Sequence, residues 1–168
     1  VQIAINEYPS GNWNLPETIE LQKERLDRAI KSASEAAQLI LTTELCAAVG
    51  ITIPELSAEL TRESDTCFKL VYKPAVHNAG GVVIPWHTDF GILTFLWYDD
   101  AATQIPIYDK DGVQTEEFEN FGVKDGHILV YVSDDLATKS GGLLHTATHR
   151  VVAPPGEKRL KNGMGWST

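Results

Sequence analysis

The apolar residues change their spacing near residue 66, and this change limits the possible folds more than any other feature of the chain. From Pro16 to Val49, Leu21, Leu26, Ile30, Ala33, Ala37, Ile40, Leu41 and Leu45 recur chiefly at steps of three and four. Such spacing lays them along one stripe of an α-helix, and a stripe of that kind has to be buried against another element. Pro16 and Glu17 suit a first helical turn, and Gly50 suits the residue that closes a helix. Lys23, Arg25, Asp27 and Lys31 then form the solvated face. A second, short helix is expected from Pro54 to Leu60, with Thr52 and Glu55 in capping-box register.

Beyond residue 66 come short β-rich runs: "CFKLVYKP", "GILTFLWYD", "QIPIYDKDG", "HILVYVSDD" and "HTATHRVVAPPG". Gly, Pro, Asp and Asn break them apart. No helical segment is read between them, so the expected fold is mainly β with N-terminal helices, a sandwich or barrel and not a set of βαβ units. In "YDKDGV", Asp111-Gly112 marks a hairpin turn. The same "DKDG" lacks the further ligands and the downstream glutamate of a calcium loop, which leaves the turn as the better reading.

A chain of 168 residues suits one domain with a real core. Its net charge of −9 argues against non-specific binding to nucleic acid or to an anionic membrane surface. An anionic ligand would have to be met by local Arg or Lys. No apolar run is long enough to span a bilayer; "HILVYV" is strand-sized. The opening "VQIAINEYPSGNW" lacks the basic and apolar regions of a secretory signal, and the absence of a starting Met suggests that the native N-terminus lies upstream. Cys46 and Cys67 make neither a disulfide framework nor a C-x-x-C, and are read as small buried residues in a reducing, cytoplasmic setting.

Chemistry concentrates in "PWHTDFGILTF", Pro85 to Phe95. His87 and Asp89 are two apart, so on a strand they would share a face. An imidazole and a carboxylate suit a borderline divalent ion such as Fe(II) if a second histidine completes the set. His77 in "AVHNAGG" and His127 in "KDGHIL" read as surface polar groups. His145 and His149 share a face if "HTATHRV" is extended, which Thr146, Thr148, Val151 and Val152 favour. A helical reading would give a zinc pair, but the glutamate of H-E-x-x-H is missing. Spacing alone leaves His145 and His149 tied.

"PWHTDFGILTFLWYDD" and "DGHILVYVSDDLATKSGGLLHTATHRVVAPPGEKR" closely resemble the Fe(II)- and 2-oxoglutarate-dependent dioxygenases, nearest the isopenicillin N synthase-like branch. The resemblance covers roughly residues 68 to 160. It implies a double-stranded β-helix (jelly-roll) core supported by a long α-helix and incomplete at both ends. Residues 1–64 would form the helical support and residues 65–168 the oxygenase core, together one structural unit. It also implies His87, Asp89 and His149 as the iron ligands, through H-x-D and the distal "HRV" histidine, with His145 as the fallback. Three protein ligands leave three positions for 2-oxoglutarate and O2. In the family, decarboxylation of the cosubstrate to succinate accompanies oxidation of a small organic molecule by hydroxylation, desaturation or cyclisation.

The far carboxylate of 2-oxoglutarate needs a guanidinium. Arg159 stands ten residues beyond His149, as the family's Arg-x-Ser arginine would, but Lys161 replaces the serine. "RLKNGMGWST" does not read as the apolar strand expected there: either the cosubstrate site is altered or, the favoured reading, this is an extended turn with the strand bearing the motif beyond it. Tyr72 in "LVYKP" matches a tyrosine that often contacts the cosubstrate. Phe90 resembles the aromatic that commonly follows H-x-D. Phe95 and Trp97 are read as packing, and Arg150 as structural, pointing away from His149. Two other readings remain: an iron oxidase of the isopenicillin N synthase type that does not use 2-oxoglutarate, and an inactive β-sandwich binding module.

Overall fold

The structure, a computed structural model, describes residues 2–4, 11, 13–45, 67–71, 81–97, 102–121, 126–153 and 163–167. The helical region opens with a single turn, α1 (Glu17–Glu20), and continues as α2 (Lys23–Leu39). A π-helical turn at Ile40–Glu44 extends it. There the hydroxyls of Thr42 and Thr43 bond back to the carbonyls of Gln38 and Leu39, competing with the regular ladder. Leu26, Ile30, Ala33, Ala37 and Leu41 are buried as the spacing requires. Leu21 is not: it falls in the turn between α1 and α2 and is 81% exposed. The helix expected from Pro16 onward is therefore interrupted, and the stripe starts at Leu26. The expected closing residue Gly50, Cys46 and the short helix at 54–60 lie outside the described residues.

Two antiparallel sheets follow. One has five strands in the order β1 (Gln2–Ala4), β2 (Cys67–Val71), β9 (Gly163–Ser167), β4 (Leu93–Trp97), β7 (Leu129–Val132). The other has four, in the order β3 (Val82–His87), β8 (His149–Val152), β5 (Thr103–Tyr108), β6 (Gln114–Asn120). A mainly β protein with N-terminal helices is what the change of spacing predicted. The apolar face of α2 packs with Trp13, Phe68 of β2 and Leu93 and Phe95 of β4 in one continuous core. Phe95 is 1% exposed and its ring meets Trp97 at 6.3 Å, so both pack as expected. Cys67 is buried.

The β5–β6 hairpin forms at the expected place. The amide of Gly112 donates to the Asp109 carbonyl, and Gly112 has a φ of 77° that favours glycine. The Asp109 carboxylate accepts the amides of Asp111 and Val113, which occupies it as a loop acceptor.

Two expectations fail here. A helix, α3 (Asp134–Lys139), stands among the β runs where no helical segment was read. Its six residues are too few to show a helical period, and Leu136 alone is buried in the core. "GMGWS", read as part of a turn, is a strand in the middle of the five-stranded sheet. Trp166 pairs with Phe68 on one side and Phe95 on the other. Glycines at 163 and 165 lower its intrinsic β preference, and a ladder on each side overrides that deficit. Among the described residues, no helix is long and apolar enough to cross a membrane.

Candidate metal centre

His87 is the last residue of β3 and His149 the first of β8, and the antiparallel register sets them directly opposite each other. Cross-strand neighbours of this kind bring their side chains together. The two rings lie 4.3 Å apart between centroids, at 53°. His145 falls outside the strand and is exposed. Register thus breaks the tie that spacing left, because only His149 has a strand partner at the His87 end.

Asp89 does not share a strand with His87, contrary to the alternation argument; it lies in the loop after β3. That loop is fastened to the start of α3. The amides of Asp134 and Asp135 donate to the carbonyls of Asp89 and Gly91, and the Ser133 amide to that of Ile92. The Thr88 hydroxyl donates to Asp134 Oδ2 at 3.0 Å. Gly91, with a φ of 96°, supplies a backbone conformation that L side chains avoid.

These elements gather three ligand atoms within 4.8 Å of one another, one each from His87, Asp89 and His149. Asp89 Oδ1 is 3.7 Å from His87 Nε2 and 3.9 Å from His149 Nε2. The opposite nitrogen of each ring is already engaged. His87 Nδ1 lies 2.8 Å from the Pro85 carbonyl and His149 Nδ1 2.9 Å from that of Ala147. A carbonyl only accepts, so each Nδ1 carries the proton and each Nε2 presents a lone pair to the common centre. The carboxylate is held as well: Thr94 Oγ1 donates to Oδ2 at 2.8 Å and the Tyr131 hydroxyl at 2.6 Å. Oδ1 is the oxygen that faces the imidazoles.

The donor set therefore fits a divalent cation. Three acceptor atoms converge, and among the described residues the Nε2 of buried His149 has beside it other acceptors, the Asp89 carboxylate and a tyrosine oxygen whose proton is given to Asp89. A cation resolves that arrangement; a hydrogen bond within the described set does not.

The sequence reading missed Thr94, Tyr131, Ser133 and the role of Asp134. A polar residue inside each apolar run, "LTFLW" and "LVYV", was the available signal. Arg150 points away from the centre as expected: its Nε donates to Gln104 at 2.8 Å, and its guanidinium lies over Trp86 and Phe118 at 4.6 and 4.0 Å. Phe90 stands beside the site and is 87% exposed. His127 is exposed, as read. Tyr72, His77 and Arg159 lie outside the described residues.

Near the His149 end of the four-stranded sheet is a cleft of about 830 Å³, whose lining includes Tyr108, Thr138, Leu144, His145 and Thr146. Thr103 of β5 pairs with Val151 of β8 in antiparallel fashion, so Tyr108 runs toward the end where His149 begins. The three ligand residues are not among the described residues of its lining.

Comparison with known proteins agrees with this geometry. No family model matches the chain. It is 31% identical over 123 residues to the 2-oxoglutarate-dependent dioxygenase frbA of Dothideomycetidae sp., covering 65% of this chain and 33% of that protein. It is 28% identical over 112 residues to the 2-oxoglutarate-Fe(II) type oxidoreductase ppzD of Metarhizium majus, covering 64% and 32%. The chain thus spans about a third of the length of these curated relatives. Among solved structures, rice dioxygenase for auxin oxidation shares the fold with a TM-score of 0.70 at 18% identity, over 96% of this chain and 51% of that one. The Arabidopsis thaliana dioxygenase for auxin oxidation 1, solved with 2-oxoglutarate, gives 0.65 at 16%, over 96% and 57%. The chain is thus similar in sequence to 2-oxoglutarate- and Fe(II)-dependent oxygenases and shares their fold. The isopenicillin N synthase-like branch is not singled out by these likenesses.

Proposed function

We propose that this chain is the core of a non-haem Fe(II) and 2-oxoglutarate-dependent dioxygenase that oxidises a small organic molecule, with His87, Asp89 and His149 as the iron ligands. The observation that carries the reading is the convergence of two Nε2 lone pairs and one carboxylate oxygen. The two antiparallel sheets would then form the walls of a jelly roll with the ligands at one end. Residues 1–64 act as helical support and 65–168 as the oxygenase core of one unit, consistent with a core that α2 and the sheet share.

Iron(II) bound there would supply the redox chemistry that couples decarboxylation of 2-oxoglutarate to oxidation of a substrate C–H bond. The chain's own part is to hold and orient. The carbonyls of Pro85 and Ala147 fix the imidazole tautomers, and Thr94 and Tyr131 fix the carboxylate. Arg159 and Tyr72 are the proposed contacts to the cosubstrate. The cleft beside Tyr108 and His145 is of a size for one small molecule, and we assign the substrate to it. A reducing, cytoplasmic setting suits such an enzyme.

The test is anaerobic titration with Fe(II) and 2-oxoglutarate. A weak visible charge-transfer band should form, followed by succinate once O2 is admitted. Iron binding without band or succinate would rule out the 2-oxoglutarate reading. Undiminished iron binding in His87→Ala or Asp89→Ala would remove the metal centre itself.

A further inference from the structure

The Tyr131 hydroxyl lies 2.6 Å from Asp89 Oδ2 and 3.4 Å from His149 Nε2, the only described hydroxyl within reach of two of the three proposed ligands. We propose that Tyr131 is a positioning residue for the metal: its phenol holds Asp89 as a one-oxygen ligand while its ring sets the plane of the His149 imidazole. The inference rests on the iron-centre reading above.

Strand register places Tyr131 there. In the β4–β7 ladder Tyr131 is the direct partner of Thr94, so both side chains leave the same face of the five-stranded sheet. That face is opposite the one by which Leu93 and Phe95 join the helical core. Both hydroxyls converge on a single carboxylate oxygen.

Proton bookkeeping fixes the direction of each contact. Asp89 as a carboxylate only accepts, so Tyr131 and Thr94 both spend their hydroxyl protons on Oδ2. With two donors on Oδ2, rotation of the carboxylate to chelate a cation through both oxygens would break both bonds. Oδ1 is left facing the imidazoles. The Tyr131 oxygen thus approaches His149 Nε2 with no proton between them, so this 3.4 Å contact is not what orients the histidine. Orientation comes instead from the edge-on ring contact, with centroids 5.2 Å apart at 63°, and from the Ala147 carbonyl on Nδ1. A charge-assisted O–H···O⁻ bond of this length is among the stronger neutral-donor bonds. Groups that orient metal ligands in this way typically change metal affinity by about 10- to 100-fold when removed.

The experiment uses Co(II) as a probe in the absence of O2, so that the readout does not depend on turnover. Tyr131→Phe keeps the ring and loses the donor. Co(II) affinity is expected to fall by about 10- to 100-fold, with a changed visible absorption band as Thr94 alone is left to hold Oδ2. Circular dichroism and the melting temperature of the metal-free protein report folding. A role in packing alone would leave Tyr131→Phe equal to the wild type in both affinity and spectrum, and that result overturns the proposal. Thr94→Val supplies a second test that does not require Tyr131→Phe to fold. Because the phenol still holds Oδ2, its Co(II) affinity should fall by less than about 10-fold; complete loss would show that Thr94, not Tyr131, does the positioning. If wild-type protein binds neither Co(II) nor Fe(II), the iron-centre reading fails first and takes this inference with it.

Discussion

Replacing Thr94 by Val isolates the chain of hydroxyls behind the proposed metal centre, because the two side chains have nearly the same shape. Thr94 is 6% exposed and its hydroxyl makes two contacts, to Asp89 Oδ2 at 2.8 Å and to Ser133 Oγ at 3.1 Å. The Thr94 proton goes to the carboxylate, so the Ser133 hydroxyl must donate to Thr94. Valine removes the acceptor of one bond and the donor of the other. A bond to a charged group contributes about 1.5–3 kcal/mol and a neutral one about 0.5–1.5 kcal/mol. The Asp89 side chain is 26% exposed, so water replaces part of the first loss, and the lower end of its range applies. Ser133 is fully buried and has no such recourse. The expected destabilisation of metal-free protein is about 2–3 kcal/mol.

Ser133→Ala alone should cost about 1 kcal/mol, since Thr94 keeps its bond to Asp89. The double variant should cost little more than Thr94→Val, because removing the Ser133 hydroxyl also removes the group that was left without an acceptor. The coupling is therefore about 1 kcal/mol. Urea or guanidinium unfolding in EDTA measures all four proteins, and unchanged slopes would confirm comparable unfolded states. Single losses that add to within about 0.3 kcal/mol would refute the chain from Ser133 through Thr94 to Asp89.

Phe95→Ala opens a cavity where α2 meets the sheet and should cost about 3–5 kcal/mol in chemical denaturation. Leu21→Ala, at a position that is 81% exposed, should fall within about 0.5 kcal/mol of the wild type; a large loss there would mean that α1 packs differently. Gly91→Ala forces a side chain into a positive-φ conformation and should cost about 1 kcal/mol or more by the same assay, with weaker metal binding because Asp89 sits on that loop. His145→Ala should leave Fe(II) binding intact while raising KM for the substrate once one is identified, whereas His149→Ala should abolish metal binding. Equal loss of metal in both variants would contradict the register between β3 and β8.

The local sequence determined a good deal of this. Apolar steps of three and four marked α2, and alternation with turn residues marked most of the strands, because both periods follow from backbone geometry without reference to the rest of the chain. His87 and Asp89 stood out for their chemistry, although strand alternation does not bring them together: a fastened loop carries Asp89 in. Short or glycine-rich elements escaped. α3 is a helix because it closes the loop that carries Asp89, and β9 is a strand because β2 and β4 flank it. The choice between His145 and His149 also lay beyond spacing, since it depends on which residue of β8 faces His87 across a ladder. The same holds for Tyr131 and Thr94, which look like ordinary strand residues until the sheet pairs them over one carboxylate. Sequence sets the period of each segment and supplies the ligand chemistry. Only tertiary structure sets the register between segments, because hydrogen-bond ladders and packing far apart in the chain decide which side chains meet.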